Sequence, residues 1–414
     1  MKKKVVIVGG GFAGLNLAKN LSKNKNFEIK LVDVNNYHFF PPLLYQVASS
    51  FIDLSNISYP FRRIFQGHDN VRFHMGSLKN INTNENYIET EKTKLDYDYL
   101  VLAMGTESNF FGNKNIEENS LPMKTIPDAL ALRNHVLLTI EECAENNESV
   151  NIVIAGGGPT GVELAGVFAE MKNYLSNKEY PEVDPTKLAT IYLIEGSPTL
   201  LGPMSQKAQS ETHKVLEDLG VQIITNTLVK DYVDNKVILG DGFTIETKIL
   251  IWTSGVIAKQ APGLSSEILG RGRRIMVDEV NQVIGTKNIF CIGDQSIQNH
   301  DSKFVNGHPQ LAQVAIQQGL LLSKNLEAIS QSKRTSQFRY NDKGSMAIIS
   351  KYKAVVDLPR GFLKGFFAWL VWLFIHIIPL VGYGNRLKLA LNWVISFTTN
   401  NPSLRLLIRH KSKD

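Results

Sequence analysis

The sequence predicts an α/β fold of two doubly wound, parallel-sheet units followed by an amphipathic helical region at the C-terminus. Three observations carry this. A strand–glycine turn–helix pattern occurs twice, in KKVVIVGGGFAGLNLAKNL and again in VNIVIAGGGPTGVELAGVFAEM, which is the signature of two Rossmann-like mononucleotide-binding units. Each is followed by a second apolar strand ending in an acid, FEIKLVDVN at Asp33 and ATIYLIEGS at Glu195. From Gly361 onward the composition turns aromatic and aliphatic, with cations between.

Composition limits the alternatives. With 414 residues, 43% hydrophobic and 20% charged, the chain is long enough for two or three ordinary globular domains. Its two cysteines, Cys143 and Cys291, are far apart and form no CxxC pair. A zinc site, an iron–sulfur site, an active dithiol and a disulfide framework are thereby excluded. The net charge of +6 is uneven: from Arg360 to the end eight Lys or Arg face one acid, a local +7 that leaves the rest near −1. The basic balance belongs to the tail, so a nucleic-acid partner has no support. The opening MKKKVVIVGGGFAG mimics a signal peptide, but its apolar run is short and breaks into glycines, so it reads as a first strand.

In the first loop Gly9, Gly11 and Gly14 form GxGxxG. The first glycine permits a tight turn, the second lets a pyrophosphate approach the backbone, and the third lets helix and strand pack closely. Unpaired N–H groups at the helix start then face the phosphates, and Asp33 stands where a carboxylate accepts from a ribose. A glycine turn without a ligand is the plain alternative; the flanking strand and helix and the acid weaken it. Gly156, Gly158 and Gly161 repeat the motif. Its acid, Glu195, comes 39 residues after Gly156, against the usual ~20, and the polar stretch KNYLSNKEYPEVDPTK accounts for the excess as an insertion. A carboxylate there binds the 2′-hydroxyl of NADH and repels a 2′-phosphate, which favours NADH over NADPH. Two dinucleotide sites in one chain suggest hydride transfer between cofactors, with FAD as the tightly held acceptor.

Together the motifs resemble the type II NADH:quinone oxidoreductases, the single-subunit, non-pumping NADH dehydrogenases among the pyridine nucleotide-disulfide oxidoreductase-like flavoproteins. NNYHFFPPLLYQVAS, LVLAMGTESNFFG, IWTSGVIA, IFCIGDQS and AQVAIQQG fall in the family's order and span nearly the whole chain. The resemblance implies that FAD is held by Gly9, Gly11, Phe12, Ala13, Gly14 and Asp33, and by Gly293, Asp294, Ala312 and Gln313. It implies NADH on Gly156, Gly158, Thr160, Gly161, Glu163 and Glu195, and a membrane quinone on the amides of Gln317 and Gln318. Glu163 and Gln317 are its catalytic candidates. The matching domains are an FAD-binding domain in two parts, residues 1–120 and 255–345, an NADH-binding domain at 121–254, and a membrane-association domain at 346–414. A homodimer, peripheral on the cytoplasmic face of the cell membrane and serving respiratory electron transport, is also implied. Plain readings remain for single residues: a turn or cap for Asp294, a helix-dipole partner for Glu163.

The segment GHPQLAQVAIQQG (residues 307–319) predicts a helix with Pro309 in its first turn. Its N–H groups are expected at a flavin edge, and Ala312, Ala315 and Gly319 are expected to admit a flat ring. Gln313 and Gln317 share a face. Residues 365–384 carry no formal charge over 20 positions, about a bilayer's thickness for a helix. His376 and Pro379 interrupt them, and NRLKLALNWVISF and LRLLIRHKSKD interleave cations with apolar residues, so helices lying in the membrane interface are expected. His38, His308 and Lys351 are unranked candidates for the proton source. Rival readings are a sulfide:quinone oxidoreductase, which lacks its redox cysteines here, a reductase of a soluble electron carrier, and a flavin-holding membrane scaffold without turnover.

Overall fold

A computed structural model describes residues 2–146, 148–179, 189–399, 405 and 407. Residues 180–188 of the expected insertion, and most of the basic end at 404–414, lie outside the described residues. The chain divides into two compact units: Met1–Phe39 with Ser58–Glu107 and Val256–Asp342, and Phe40–Ile57 with Ser108–Gly255 and Lys343–Asp414.

The first unit is built on a five-stranded sheet in the order Ile289–Cys291, Tyr99–Leu102, Lys3–Val8, Phe27–Asp33, Val71–Met75. All four pairings are parallel. Such a sheet is covered on both faces, which is why its strands read as continuous apolar runs: Val5 to Val8 are all buried. The chain leaves Lys3–Val8 toward one edge and later returns to its other side. The order therefore reverses beside the strand that feeds the glycine loop, and ligands of doubly wound sheets sit at that switch point.

The second unit repeats the plan. Its parallel sheet runs Leu121–Pro122, Ile249–Trp252, Asn151–Ala155, Thr190–Ile194, Gln222–Ile224, again with the glycine-loop strand at the centre. The fold class read from the sequence is the one observed.

The helix expected at 307–319 starts later. It spans Ala312–Ser330, and Leu311 before it is extended, with φ −123 and ψ 147. The Arg274 guanidinium donates to the His308 carbonyl at 3.0 Å, and His308 bonds Asp301 at 3.1 Å. Those bonds hold the segment around Pro309 out of helical geometry. Gly319 has a packing role as well. A Cβ on Gly319 would run into the Ala13 carbonyl oxygen, so this glycine lets the helix lie directly on helix Phe12–Leu21 of the first loop.

The C-terminal part forms an antiparallel sheet of Ser345–Ser350, Lys353–Leu358 and Gly361–Lys364. Helices Gly365–Ile377 and Tyr383–Thr399 follow, separated around Pro379. Among the described residues no helix is long and apolar enough to cross a membrane. Trp369, Trp372, Leu389, Trp393 and Phe397 point inward and are buried. Phe366, Phe367, Leu370 and Phe374 on one helix, and Leu387, Leu391, Val394 and Ile395 on the other, are exposed.

The helix after the second glycine loop, Pro159–Lys178, lies against strand Ser345–Ser350, and a Cβ on Gly166 would overlap the Ile349 carbonyl oxygen. Backbone cannot yield as a flexible side chain does. Gly166→Ala is expected to destabilise the protein by about 2 kcal/mol or more despite alanine's better helix propensity. Gly361→Ala, which meets nothing within 4 Å, should be near neutral. Urea unfolding of the two variants checks the contrast.

Candidate active site

Both glycine loops are set by the same hydrogen bonds. Gly9 and Gly156 adopt φ +106 and +112, a region that side chains disfavour. Their N–H groups donate at 2.8 Å to Val32 and Ile194, on the neighbouring acid-bearing strands. A Cβ on Gly14 or Gly161 would overlap the carbonyl oxygen of Gly9 or Gly156, so the first turn of each helix can pack on its loop only with glycine at that position. The acids close the arrangement. Asp33 Oδ2 accepts from the Gly10 N–H at 2.6 Å and Oδ1 from Asn35 at 2.8 Å. Glu195 Oε2 accepts from Gly157 at 2.6 Å and Oε1 from Ser197 at 2.7 Å. Each carboxylate is thus fixed by backbone, with lone pairs left for ribose hydroxyls. Burial pushes the Asp33 carboxyl above its usual range, against the pull of Asn35, Gly10 and Lys259.

These loops fit dinucleotides. The helices begin at Gly11 and Gly158 without a side-chain cap, whereas Asn113 and Ser205 cap helices elsewhere. Uncapped N-termini leave donors for phosphate. A Cβ on Gly11 or Gly158 would meet nothing within 4 Å, so space lies in front of both. Thr160 is exposed in the first turn of the second helix, and Phe12 and buried Ala13 open the first.

Around the first loop the IGD block and the Ala/Gln helix converge on Ala13. A Cβ at Gly293 would lie 3.1 Å from that of Ala13 and 3.6 Å from that of Ala315. Gln318 is buried, and its amide oxygen accepts from the Gly293 N–H at 2.6 Å. Gln295, fully buried, accepts from Met104 and donates to the Lys259 carbonyl. Asp294 is half-buried, and its carbonyl accepts from Gln310. Ala312 opens the helix. Gln313 accepts from the Tyr340 hydroxyl at 3.3 Å, and Gln317 pairs with both the N–H and the carbonyl of Asn341 at 3.0 Å. Of the two expected quinone glutamines, then, Gln317 is partly exposed and Gln318 is committed to holding the Gly293 turn.

Sequence reasoning left His38 unranked and passed over Gln295, Thr253 and Glu170. Buried His38 bonds the Gly10 carbonyl through Nδ1 at 2.9 Å, and Thr253 donates to the Ala155 carbonyl at 2.8 Å. Both are second-layer supports of the two loops, and no motif marks them. His308 is enclosed by Phe304, Phe338 and Tyr340 and bonded to Asp301, a structural setting. Lys351 contributes its backbone N–H, which donates to Glu170 at 2.6 Å. Glu163 lies in the first turns of helix Pro159–Lys178; desolvation raises its carboxyl well above the usual range, although the Ile348 N–H bonds it. Both cysteines are buried and unpaired, and burial pushes the Cys291 thiol far up.

Two nucleotide loops with matched acids, on two doubly wound units, define a pyridine nucleotide-dependent flavoprotein oxidoreductase; the profile of the pyridine nucleotide-disulphide oxidoreductases matches residues 3–319. That of the NDH2 C-terminal domain matches residues 343–399. The chain is 32% identical over 417 residues to the type II NADH:quinone oxidoreductase Ndh of Mycobacterium tuberculosis, covering 96% of this chain and 88% of that one. It is 29% identical to the Haemophilus influenzae enzyme of that name, covering 87% and 88%. The chain belongs to the type II NADH:quinone oxidoreductase family. Its fold is similar to that of NDH2 from Plasmodium falciparum, solved with NADH, at a TM-score of 0.88, 23% identity, and 99% and 100% coverage. It is also similar to that of the Aquifex aeolicus sulfide:quinone oxidoreductase, at 0.73, 18% identity, and 97% and 92% coverage.

His38 ties the first loop to pH. Burial lowers its pKa to about 4, against the pull of the Gly10 bond, so the folded protein keeps it neutral while the unfolded chain protonates near 6.5. Stability is full above 6.5 and falls as pH drops from 6.5 to about 4. His38→Gln, whose amide still donates to Gly10 but does not titrate, should flatten this slope in part. His376, also lowered to about 4 by burial, and His74 and His308, lowered by burial too, keep the remainder. Melting temperatures at pH 7.5 to 4 in both proteins measure it.

Proposed function

We propose that this chain transfers two electrons from NADH, through FAD, to a quinone dissolved in the bilayer, from the membrane surface and without pumping protons. The observation that carries the reading is the duplicated loop-and-acid geometry, which supplies one tight dinucleotide seat in each unit. FAD is assigned to Gly9, Gly11, Phe12, Ala13, Gly14, Asp33, Gly293, Asp294, Ala312 and Gln313. NADH is assigned to Gly156, Gly158, Thr160, Gly161, Glu163 and Glu195, and quinone to Gln317, with Gln318 setting the turn beside it. Bound FAD supplies two-electron acceptor and donor chemistry.

The remaining steps belong to the chain. N–H groups at the starts of helices Phe12–Leu21 and Pro159–Lys178 carry the phosphates. Glu195 accepts from the adenosine ribose and disfavours a 2′-phosphate. Glu163, whose carboxyl burial raises well above its usual range, is the proton donor to the oxygen of a reduced quinone. The exposed apolar faces of the two C-terminal helices, with Lys364, Arg386 and Lys388 beside them, suit the headgroup boundary of an anionic bilayer. A homodimer on the cytoplasmic face belongs to the same reading. Sulfide as donor is disfavoured, because neither cysteine is exposed or paired.

Rapid mixing tests the reading. Flavin absorbance should fall on adding NADH and return on adding quinone in liposomes. A colour that never bleaches with NADH leaves only a flavin-holding scaffold; bleaching that a soluble carrier alone reverses would favour a reductase of that carrier. Glu195→Gln removes a charged acceptor contributing about 1.5–3 kcal/mol. It should raise the KM for NADH roughly tenfold and shift preference toward NADPH by a similar factor, as read from steady-state rates with both nucleotides. Phe367 and Phe374 are 73% and 70% exposed, so changing both to Asp should leave the fold intact. With about 1.5–3 kcal/mol lost per phenylalanine, vesicle flotation should weaken roughly a hundredfold or more while NADH oxidation by ferricyanide is unchanged.

A further inference from the structure

Helix Pro159–Lys178 carries a second acid, Glu170, to which no nucleotide role is assigned above. Glu163 and Glu170 are seven residues apart, two turns or about 10 Å along one face. That face lies on strand Ser345–Ser350, with Gly166 between them in contact with Ile349. Both carboxyls are tied to this strand and the turn after it: Glu163 accepts from the Ile348 N–H, and Glu170 Oε1 accepts from Lys351 at 2.6 Å. Glu170 Oε2 accepts no hydrogen bond among the described residues, so a proton can reside there. Both side chains keep part of their surface open.

A phenol lies within the field of both acids. Tyr45, in helix Leu44–Ala48, is buried, and Glu163 and then Glu170 act on it electrostatically. Its oxygen accepts from the Gln46 amide at 2.8 Å, and Gln46, buried as well, accepts from the Trp393 indole at 2.9 Å. Those bonds fix the phenol oxygen as an acceptor from Gln46, so its own hydrogen points elsewhere. The groups acting on Glu170 are Lys351 and Lys353 at the turn, with Tyr45 opposite. Desolvation outweighs the lysines and raises the Glu170 carboxyl to about 7, so it exchanges protons with water at working pH.

We propose that Glu170 is the outer group of a proton relay along this helix, passing protons by way of Tyr45 and bound water to Glu163. The proposal rests on the quinone chemistry above. NADH, one proton and quinone give NAD+ and quinol; the hydride brings both electrons and one proton, and solvent supplies the other. In the relay, Glu163 gives its proton to the anionic oxygen of the two-electron-reduced quinone, which becomes quinol; Glu170 restores Glu163 and water restores Glu170, so no oxidant or reductant is consumed. Glu170 acts through other groups and touches no substrate.

The test compares wild type, Glu170→Gln and Glu170→Asp with two acceptors: liposomal quinone, which needs protons, and ferricyanide, which takes electrons alone. Wild-type quinone turnover should fall as pH rises through about 7, where Glu170 loses its proton. Glu170→Gln should lose quinone turnover roughly tenfold, short of the hundredfold expected for removing a direct acid. It should lose the pH limb and keep its ferricyanide rate. Glu170→Asp should restore part of the rate and a pH limb. Infrared titration of the unmodified protein should show a carboxylic acid C=O band disappearing near pH 7, and Glu170→Gln should lack it. Equal quinone rates and pH profiles in wild type and Glu170→Gln overturn the relay, as does a wild-type spectrum with no such band even if the variants fold poorly. Wild-type protein that NADH does not bleach overturns the functional reading instead.

Discussion

The interaction on which the rest depends is the bond between a strand-end carboxylate and the N–H just after the first glycine of each loop. At 2.6 Å in both units, it joins two neighbouring parallel strands at their C-terminal ends, where the sheet's order reverses. It fixes the loop's path, and with it the direction in which the uncapped helix start points. It also leaves the carboxylate immobile, so a ribose meets an acceptor that loses little freedom on binding. Because both acids fasten their loops, a ligand role proposed for Asp33 and Glu195 is not separable from their structural one.

Much of this was legible from residue spacing. Glycines at fixed offsets and an acid at the end of the next strand are local features, and local features survive in sequence. The helix after the IGD block shows where legibility stops. Pro309 reads as a helix start, yet Arg274 and Asp301 restrain His308 and hold the helix back to Ala312. Those partners lie 34 and 7 residues away, and nothing in the segment announces them. Likewise, four glutamines in one stretch gave no hint that Gln318 would be buried on Gly293 while Gln317 bonds Asn341. Small residues were ambiguous for the same reason: glycine admits a ring or a helix equally well, and only the neighbour decides. Glu170 was invisible because a glutamate in a helix is ordinary until Lys351 and the surrounding packing bury it.

The C-terminal region illustrates a sequence pattern whose meaning depends on interruption. An uncharged run of bilayer length would suggest a span, but Pro379 divides it into two helices, each with an indole-lined inner side and an outer side of Phe and Leu. Inward, Trp393 reaches Gln46 and so braces the short helix that carries Tyr45. The same helix pair therefore presents apolar surface outward and supports a buried polar contact inward.

The placement of the two cysteines has a practical consequence. Both thiols of the chain are enclosed, Cys143 in a helix and Cys291 in the edge strand Ile289–Cys291 of the first sheet, so maleimides find no native target on the folded surface. A lone cysteine engineered into an outer position of either C-terminal helix would carry a spin label or fluorophore without background, and would report whether that position meets water or lipid.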